Sequence, residues 1–101
     1  MDRIFQALAD RTRRDIVTRV IEQEQSVSHL ADRYSMSFAA VQKHVAVLER
    51  AGLVTKERRG REQIVRGDVG TIRQAGEVLE RYEHLWRQRV ARADELLAED
   101  D

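Results

Sequence analysis

From Val27 to Val54 the chain reads VSHLADRYSMSFAAVQKHVAVLERAGLV, and few arrangements satisfy that stretch. Ser28 is an N-cap type of residue, and Leu30, Ala31 and Tyr34 then fall on one helical face. Ser35-Met36-Ser37 interrupts with two hydroxyl residues around one apolar residue. Ser37 can accept a backbone N–H and open a second helix, Phe38 to Arg50. There Val41, Val45 and Leu48 stand at i, i+4 and i+7, a core stripe. Gly52 ends that helix, as a residue following a C-cap does. Two short helices joined by such a turn make a helix-turn-helix. Ala31 sits where the first helix must let the second come close, and Met36 plugs the turn.

The other face of the second helix carries Ala39, Ala40, Gln42, Lys43 and Ala46. Small side chains allow close approach to a surface. An amide can read adenine bidentately, and lysine can reach guanine or a phosphate. The bland alternative is a helical hairpin inside a core, with Gln42 and Lys43 simply solvated.

After Gly52 the period changes from helical to alternating. Leu53 to Glu57 and Gln63 to Arg66 are short and rich in β-branched residues, with Arg58-Arg59-Gly60-Arg61-Glu62 between them. This spacing predicts a β-hairpin turning at Gly60. Directly after a helix-turn-helix, such a hairpin is a wing. Its tip sets Lys56, Arg58, Arg59 and Arg61 against Glu57 and Glu62, and is placed to touch a nucleic-acid backbone or minor groove. Alternatively, the arginines only keep an exposed strand edge from pairing.

In front of this unit, Asp2 to Leu8 reads as a short helix with Ile4, Phe5 and Leu8 apolar, too short to stand alone. Asp10 is the next N-cap, and the helix after it carries Ile16, Val17, Val20 and Ile21 as an apolar stripe. Arg11, Arg13 and Arg14 in its first turn oppose the helix dipole. Either a nearby phosphate or pairing with Asp10 and Asp15 would offset that. Glu22 to Gln25 reads as a polar link.

Behind the wing, Gly67-Asp68-Val69-Gly70 is expected to turn, and Thr71 to about Leu97 reads as one continuous helix. Its apolar positions, Ile72, Ala75, Leu79, Tyr82, Trp86, Val90 and Leu97 among them, recur about every 3.5 residues, as along a helix–helix seam. A helix of roughly 40 Å is long for so small a chain. Its stripe is therefore expected to run onto a second copy, with Ile4, Phe5, Leu79, Tyr82, Trp86, Val90 and Leu97 in a symmetric interface. The alternative is a helix folded wholly over its own core. The terminal Glu99-Asp100-Asp101 is expected to fray.

Composition bounds these readings. The 101 residues suffice for one domain, spanning 1–101, with residues 68–98 as its long C-terminal dimerisation helix. Net charge is zero, so no global basic excess points to nucleic acid. The distribution does: residues 1–67 hold 13 Lys/Arg against 9 Asp/Glu, and residues 68–101 hold 5 against 9. Cysteine is absent, which excludes disulfides and thiolate metal sites. No apolar run is long enough to cross a membrane, and the N-terminus has no apolar signal region. His29, His44 and His84 are scattered, no glycine loop cradles a phosphate, and no nucleophile–base pair is recognisable, so an enzyme is not expected.

Several segments together resemble the ArsR/SmtB family of winged helix-turn-helix repressors. They are Ala9-Asp10-Arg11-Thr12-Arg13-Arg14, Leu30-Ala31, Val41-Gln42-Lys43-His44-Val45, Leu48 through Val54, Arg59-Gly60-Arg61, and the tail helix with Trp86. The resemblance implies a mostly α fold with a small β-hairpin wing, dimeric through its first and last helices. It implies a cytoplasmic homodimer that binds a double-stranded DNA operator and is released by an effector, which the residues do not identify. The matching recognition positions are Ser37, Ala39, Ala40, Gln42, Lys43 and His44. Three positions depart from the family pattern. Arg11 stands where proline is frequent, and Gln42 where serine is frequent, which puts the operator sequence in doubt. The metal ligands are missing as well. There is no cysteine around His29 to Asp32, and the tail helix offers only His84 with Glu80 and Glu83, so no metal or other cofactor is expected. The competing class is a winged-helix protein-interaction module. The basic wing argues against it, because protein interfaces deplete lysine.

Overall fold

Five helices and three short strands follow one another in the computed structural model, which describes residues 1–99. They are α1 (Asp2–Leu8), α2 (Arg11–Glu22), β1 (Gln25–Ser26), α3 (Val27–Ala31), α4 (Phe38–Arg50), β2 (Val54–Arg59), β3 (Glu62–Gly67) and α5 (Val69–Glu99). The core gathers one stripe from each front element. Ile4 and Ala7 come from α1, Ile16, Val17 and Val20 from α2, Leu30 from α3, and Val41, Val45 and Leu48 from α4. Leu53, Val54 and Val65 close it from the wing side. Tyr34 and Met36, in the turn between α3 and α4, pack against it half-buried, as does Ala31.

Local chemistry explains the element boundaries. Asp10 accepts from Arg13 N at 3.0 Å and caps α2. Ser37 accepts from Ala40 N at 3.1 Å and caps α4. The cap of α3 is Ser26, which accepts from His29 N at 3.0 Å, and not Ser28 as expected. Starting the helix at Val27 turns Val27 inward with Leu30, which a start after Ser28 would forfeit. Helix α4 ends in a Schellman motif, with Leu53 N donating to Leu48 O and Gly52 N to Glu49 O, both at 3.0 Å. That motif needs a left-handed residue, and Gly52 supplies φ 79°.

The wing is a β2–β3 hairpin in the register Arg59↔Glu62, which leaves the two-residue turn Gly60-Arg61. Gly60 takes φ 61° at its first position, as a type II′ turn requires. The strands run one to two residues longer than expected. A third strand goes beyond the hairpin expected: Gln25–Ser26 pairs antiparallel with Val65 and Ile64, giving the order β1-β3-β2. The segment that reads as a polar link is thus tied into the sheet.

Helix α5 starts at Val69 rather than Thr71, because Asp68 Oδ1 accepts from Thr71 N at 3.2 Å and acts as its cap. Ile72 and Ala75 pack on the core, but every residue from Leu79 to Ala98 is exposed. The helix therefore does not fold over its own core. It projects, which accounts for a longest dimension of 71 Å and a radius of gyration of 19.3 Å. A compact chain of this length would have a radius near 13 Å. Of the three residues expected to fray, Glu99 is helical, and Asp100 and Asp101 lie outside the described residues. Ile4 is buried at 5% exposure in this chain's own core, while Phe5 is exposed, so of the two α1 residues only Phe5 presents itself to a partner.

Candidate nucleic-acid interface

Helix α4 is held by one face and bare on the other. Val41, Val45 and Leu48 are buried, whereas Ala39, Gln42 and Lys43 are exposed and Ala40, His44 and Ala46 are half-buried at the margin. Gln42 and Lys43 form no side-chain hydrogen bond or ion pair among the described residues. Phe38, in the first turn, is 46% exposed and extends the same end of the helix. In the sequence Phe38 marks only a helix boundary. An aromatic ring standing out of a helix N-terminus beside small residues is an apolar group of the kind that meets a thymine methyl.

Two anchors set the position of this helix. The first is Arg13. Its Nε donates to Ala7 O at 2.7 Å and its Nη2 to Gln6 O at 3.1 Å, while Nη1 lies 3.4 Å from His44 Nδ1. Arg14 Nη1 donates to Leu8 O at 2.8 Å. Arg13 and Arg14, in the first turn of α2, thus serve carbonyls at the end of α1, where a cation is favourable. The two partners expected for them were a phosphate and a carboxylate. Of the carboxylate pairing, only a 3.8 Å approach of Arg13 to Asp10 is present among the described residues. His44, matched to a recognition position, has one ring nitrogen turned to Arg13.

The second anchor is Tyr34, whose hydroxyl donates to Asp15 Oδ2 at 2.5 Å. Arg19 Nε donates to the same oxygen at 2.8 Å, with its guanidinium over the Tyr34 ring. Together they pin the turn before α4 to α2. The hydrogen bond from Tyr34, then that from Arg19, holds the Asp15 carboxyl below its usual range. Burial first, and then the bond to Asp15, pushes the Tyr34 hydroxyl up to about 12.

The wing is more neutral than its sequence. Arg59 donates to Glu24 and Glu57, both at 3.1 Å, and Arg66 donates to the same two carboxylates at 2.8 and 3.0 Å. Arg59 lowers the Glu24 carboxyl, and Glu24 in turn raises the Arg59 guanidinium. Lys56 Nζ lies 3.4 Å from Glu49 Oε1 and ties the wing to α4. Arg58 Nε donates to Gly60 O at the tip, and Arg61 enters no ion pair among the described residues. The two-by-two network of Glu24, Glu57, Arg59 and Arg66 is exposed, so exchanging a carboxylate for a phosphate costs little.

Residues 8–57 match a family described as a helix-turn-helix domain. The uncharacterised HTH-type transcriptional regulator YuzN of Bacillus subtilis is 38% identical over 71 residues, covering 63% of this chain and 77% of that protein. Among solved structures, an ArsR-like transcriptional regulator from Rhodococcus sp. RHA1 superposes with a TM-score of 0.81 at 34% identity, over 94% of this chain and 90% of that one. The chain belongs to the ArsR family of winged helix-turn-helix transcriptional regulators.

A second ArsR family regulator of known structure gives a TM-score of 0.79 at 30% identity, over 85% of this chain and 89% of that one. A homodimeric winged helix-turn-helix DNA-binding domain from Mycobacterium bovis shares the fold, with a TM-score of 0.68 at 24% identity, over 81% of this chain and 77% of that one. As an ArsR-family member the chain is a DNA-binding transcriptional regulator. Among its described residues no group of three or more His, Cys, Asp or Glu side chains is placed to hold a metal ion. Among the same residues no helix is long and apolar enough to cross a membrane.

Proposed function

We propose that this ArsR-family chain is a homodimeric, cytoplasmic repressor that binds its operator without a metal cofactor. The observation that carries the reading is the bare face of α4. A helix fixed by three buried side chains presents Ala39, Gln42 and Lys43 outward with no intramolecular partners among the described residues. Each subunit would lay α4 in a major groove. Gln42 and Lys43 would read base edges, Ala39 and Ala40 would permit close approach, and Ser37 and His44 would contact phosphates. The wing residues Lys56, Arg58, Arg59 and Arg61 would follow the backbone or minor groove, with Arg58 and Arg61 leading from the tip.

The exposed stripe of α5 supports the dimer. Leu79, Tyr82, Trp86, Val90 and Leu97 are between 42% and 68% exposed in one chain and have no core of their own to cover. The homodimeric domain from Mycobacterium bovis has the same fold. The residues 1–101 would then act as one domain, with 68–98 as its dimerisation helix. This reading assigns the chain no catalytic step.

The test is fluorescence anisotropy of the metal-free protein on DNA from upstream of its own gene, with a scrambled duplex as control, at several salt concentrations. Preference for the upstream duplex by about 10³-fold or more is expected. Equal, weak and salt-sensitive binding to both duplexes would oppose a specific operator. No binding at low salt would favour a protein partner instead.

A further inference from the structure

We infer that a trough between α1 and α4 is a binding site for a small anion bearing a phosphate or carboxylate group. The cavity holds about 440 Å³ and is walled by Arg3, Gln6, Ala7, Arg13, Val47 and Arg50. Three arginines line one void, and no acidic residue lines it. Its outer continuation past Arg3 and Arg50 reaches Asp2, Thr71 and Gln74. Four arginines outside the trough are matched with acids, Arg19 with Asp15, Arg59 and Arg66 with Glu24 and Glu57, and Arg87 with Glu83. Arg3 and Arg50 enter no ion pair among the described residues, and Arg13 comes no closer than 3.8 Å to Asp10.

Like charges gathered around a void repel one another, and an oxyanion among them turns each repulsion into a charge-assisted hydrogen bond. Arg13 is already oriented by the Ala7 and Gln6 carbonyls and is only 19% exposed, so it forms a fixed floor. Arg3 and Arg50 are exposed and able to close over a guest. Ala7 and Val47 supply a small apolar wall, and Gln6 an amide. The volume lies at the small end of ligand pockets, which run from about 300 to 1,000 Å³. These features fit a short organic acid or a phosphate monoester.

A DNA phosphate is the rival source of the same chemistry. Arg50 stands eight residues beyond Gln42, about 12 Å along the helix axis, away from the proposed reading end of α4. A recessed void between two helices favours the free anion. Bound there, the anion would clamp α1 to α4 and so bias operator affinity, and operator would bias anion affinity by the same factor. That coupling rests on the DNA-binding reading, whereas the site itself does not.

The test titrates the full chain, without DNA, with inorganic phosphate and with citrate at constant ionic strength, following arginine Nε resonances by nitrogen-15 NMR. Saturable shifts at Arg3, Arg13 and Arg50 are expected. The double variant Arg3→Gln, Arg50→Gln should weaken binding by about tenfold or more, and Arg92→Gln on the exposed end of α5 should leave it unchanged. Both changed arginines are exposed, so the fold tolerates their loss. Linear shifts shared by all arginines, or an unchanged affinity in the double variant, would overturn the proposal. So would the absence of saturable phosphate binding together with a salt dependence of DNA binding that drops by about two phosphates in the double variant. That outcome would assign the trough to the duplex backbone.

Discussion

The Tyr34 hydroxyl joins the turn before α4 to α2 through Asp15, and its loss is felt in the position of the recognition helix. Tyr34→Phe removes a hydrogen bond to a charged acceptor and is expected to cost about 1–2 kcal/mol in urea unfolding. The same bond sets two pH windows. The folded pKa of Asp15 is depressed, so its contribution is present above the ordinary carboxylate value of about 3.9 and lost as pH falls through the lower folded value. Tyr34→Phe should therefore move acid unfolding, followed by circular dichroism, to higher pH. The folded pKa of Tyr34 is raised to about 12, so its contribution is complete below about 10 and lost as pH rises towards 12. At the reading face, Gln42→Ala should relax preference at one base pair by about 1–3 kcal/mol in a panel of operator variants. Equal loss on every duplex would remove Gln42 from the readers.

At the scale of elements, the wing balances its own charge. Glu24 is the common partner of Arg59 and Arg66, so Glu24→Ala should release positive charge towards a duplex. Affinity for scrambled DNA should rise, and the salt dependence should steepen by about 0.9 for each phosphate newly contacted. An unchanged slope would mean that these arginines do not reach the backbone. This network was not legible in the sequence, because Glu24 and Arg59 lie 35 residues apart and meet only through the β1-β3-β2 register. Strand β1 itself has two residues, too few for an alternating pattern. The partners of Arg13 and Arg14 were hidden for a related reason. Backbone carbonyls of a preceding helix carry no residue-type signal, so the arginines suggested only a phosphate or a carboxylate. Helix α4 was legible end to end, since Ser37, the stripe of Val41, Val45 and Leu48, and Gly52 all specify the same limits. The sequence put the cap of α3 at Ser28, the nearest hydroxyl before the apolar stripe, whereas burial of Val27 decides for Ser26.

For the whole molecule, the projecting half of α5 is the feature that a single chain leaves unsatisfied. Trp86 is the one tryptophan of the sequence and is 61% exposed. In a dimer it would leave water, so its emission should shift to the red on dilution, with a midpoint set by the dimer dissociation constant. Trp86→Ala should weaken association by about 2 kcal/mol or more, as a central aromatic anchor does, measured by analytical ultracentrifugation. Emission independent of concentration from nanomolar to micromolar, with monomeric sedimentation, would leave α5 without its proposed role. A dimer built on α5 has a geometric consequence for DNA, because two copies of α4 must enter successive major grooves on one face of the duplex. Hydroxyl-radical footprinting of the bound upstream duplex tests that directly. Two protected patches centred about 10–10.5 base pairs apart and related by a dyad are expected. A single patch, or uniform protection without that spacing, would contradict a paired reading of DNA by α4.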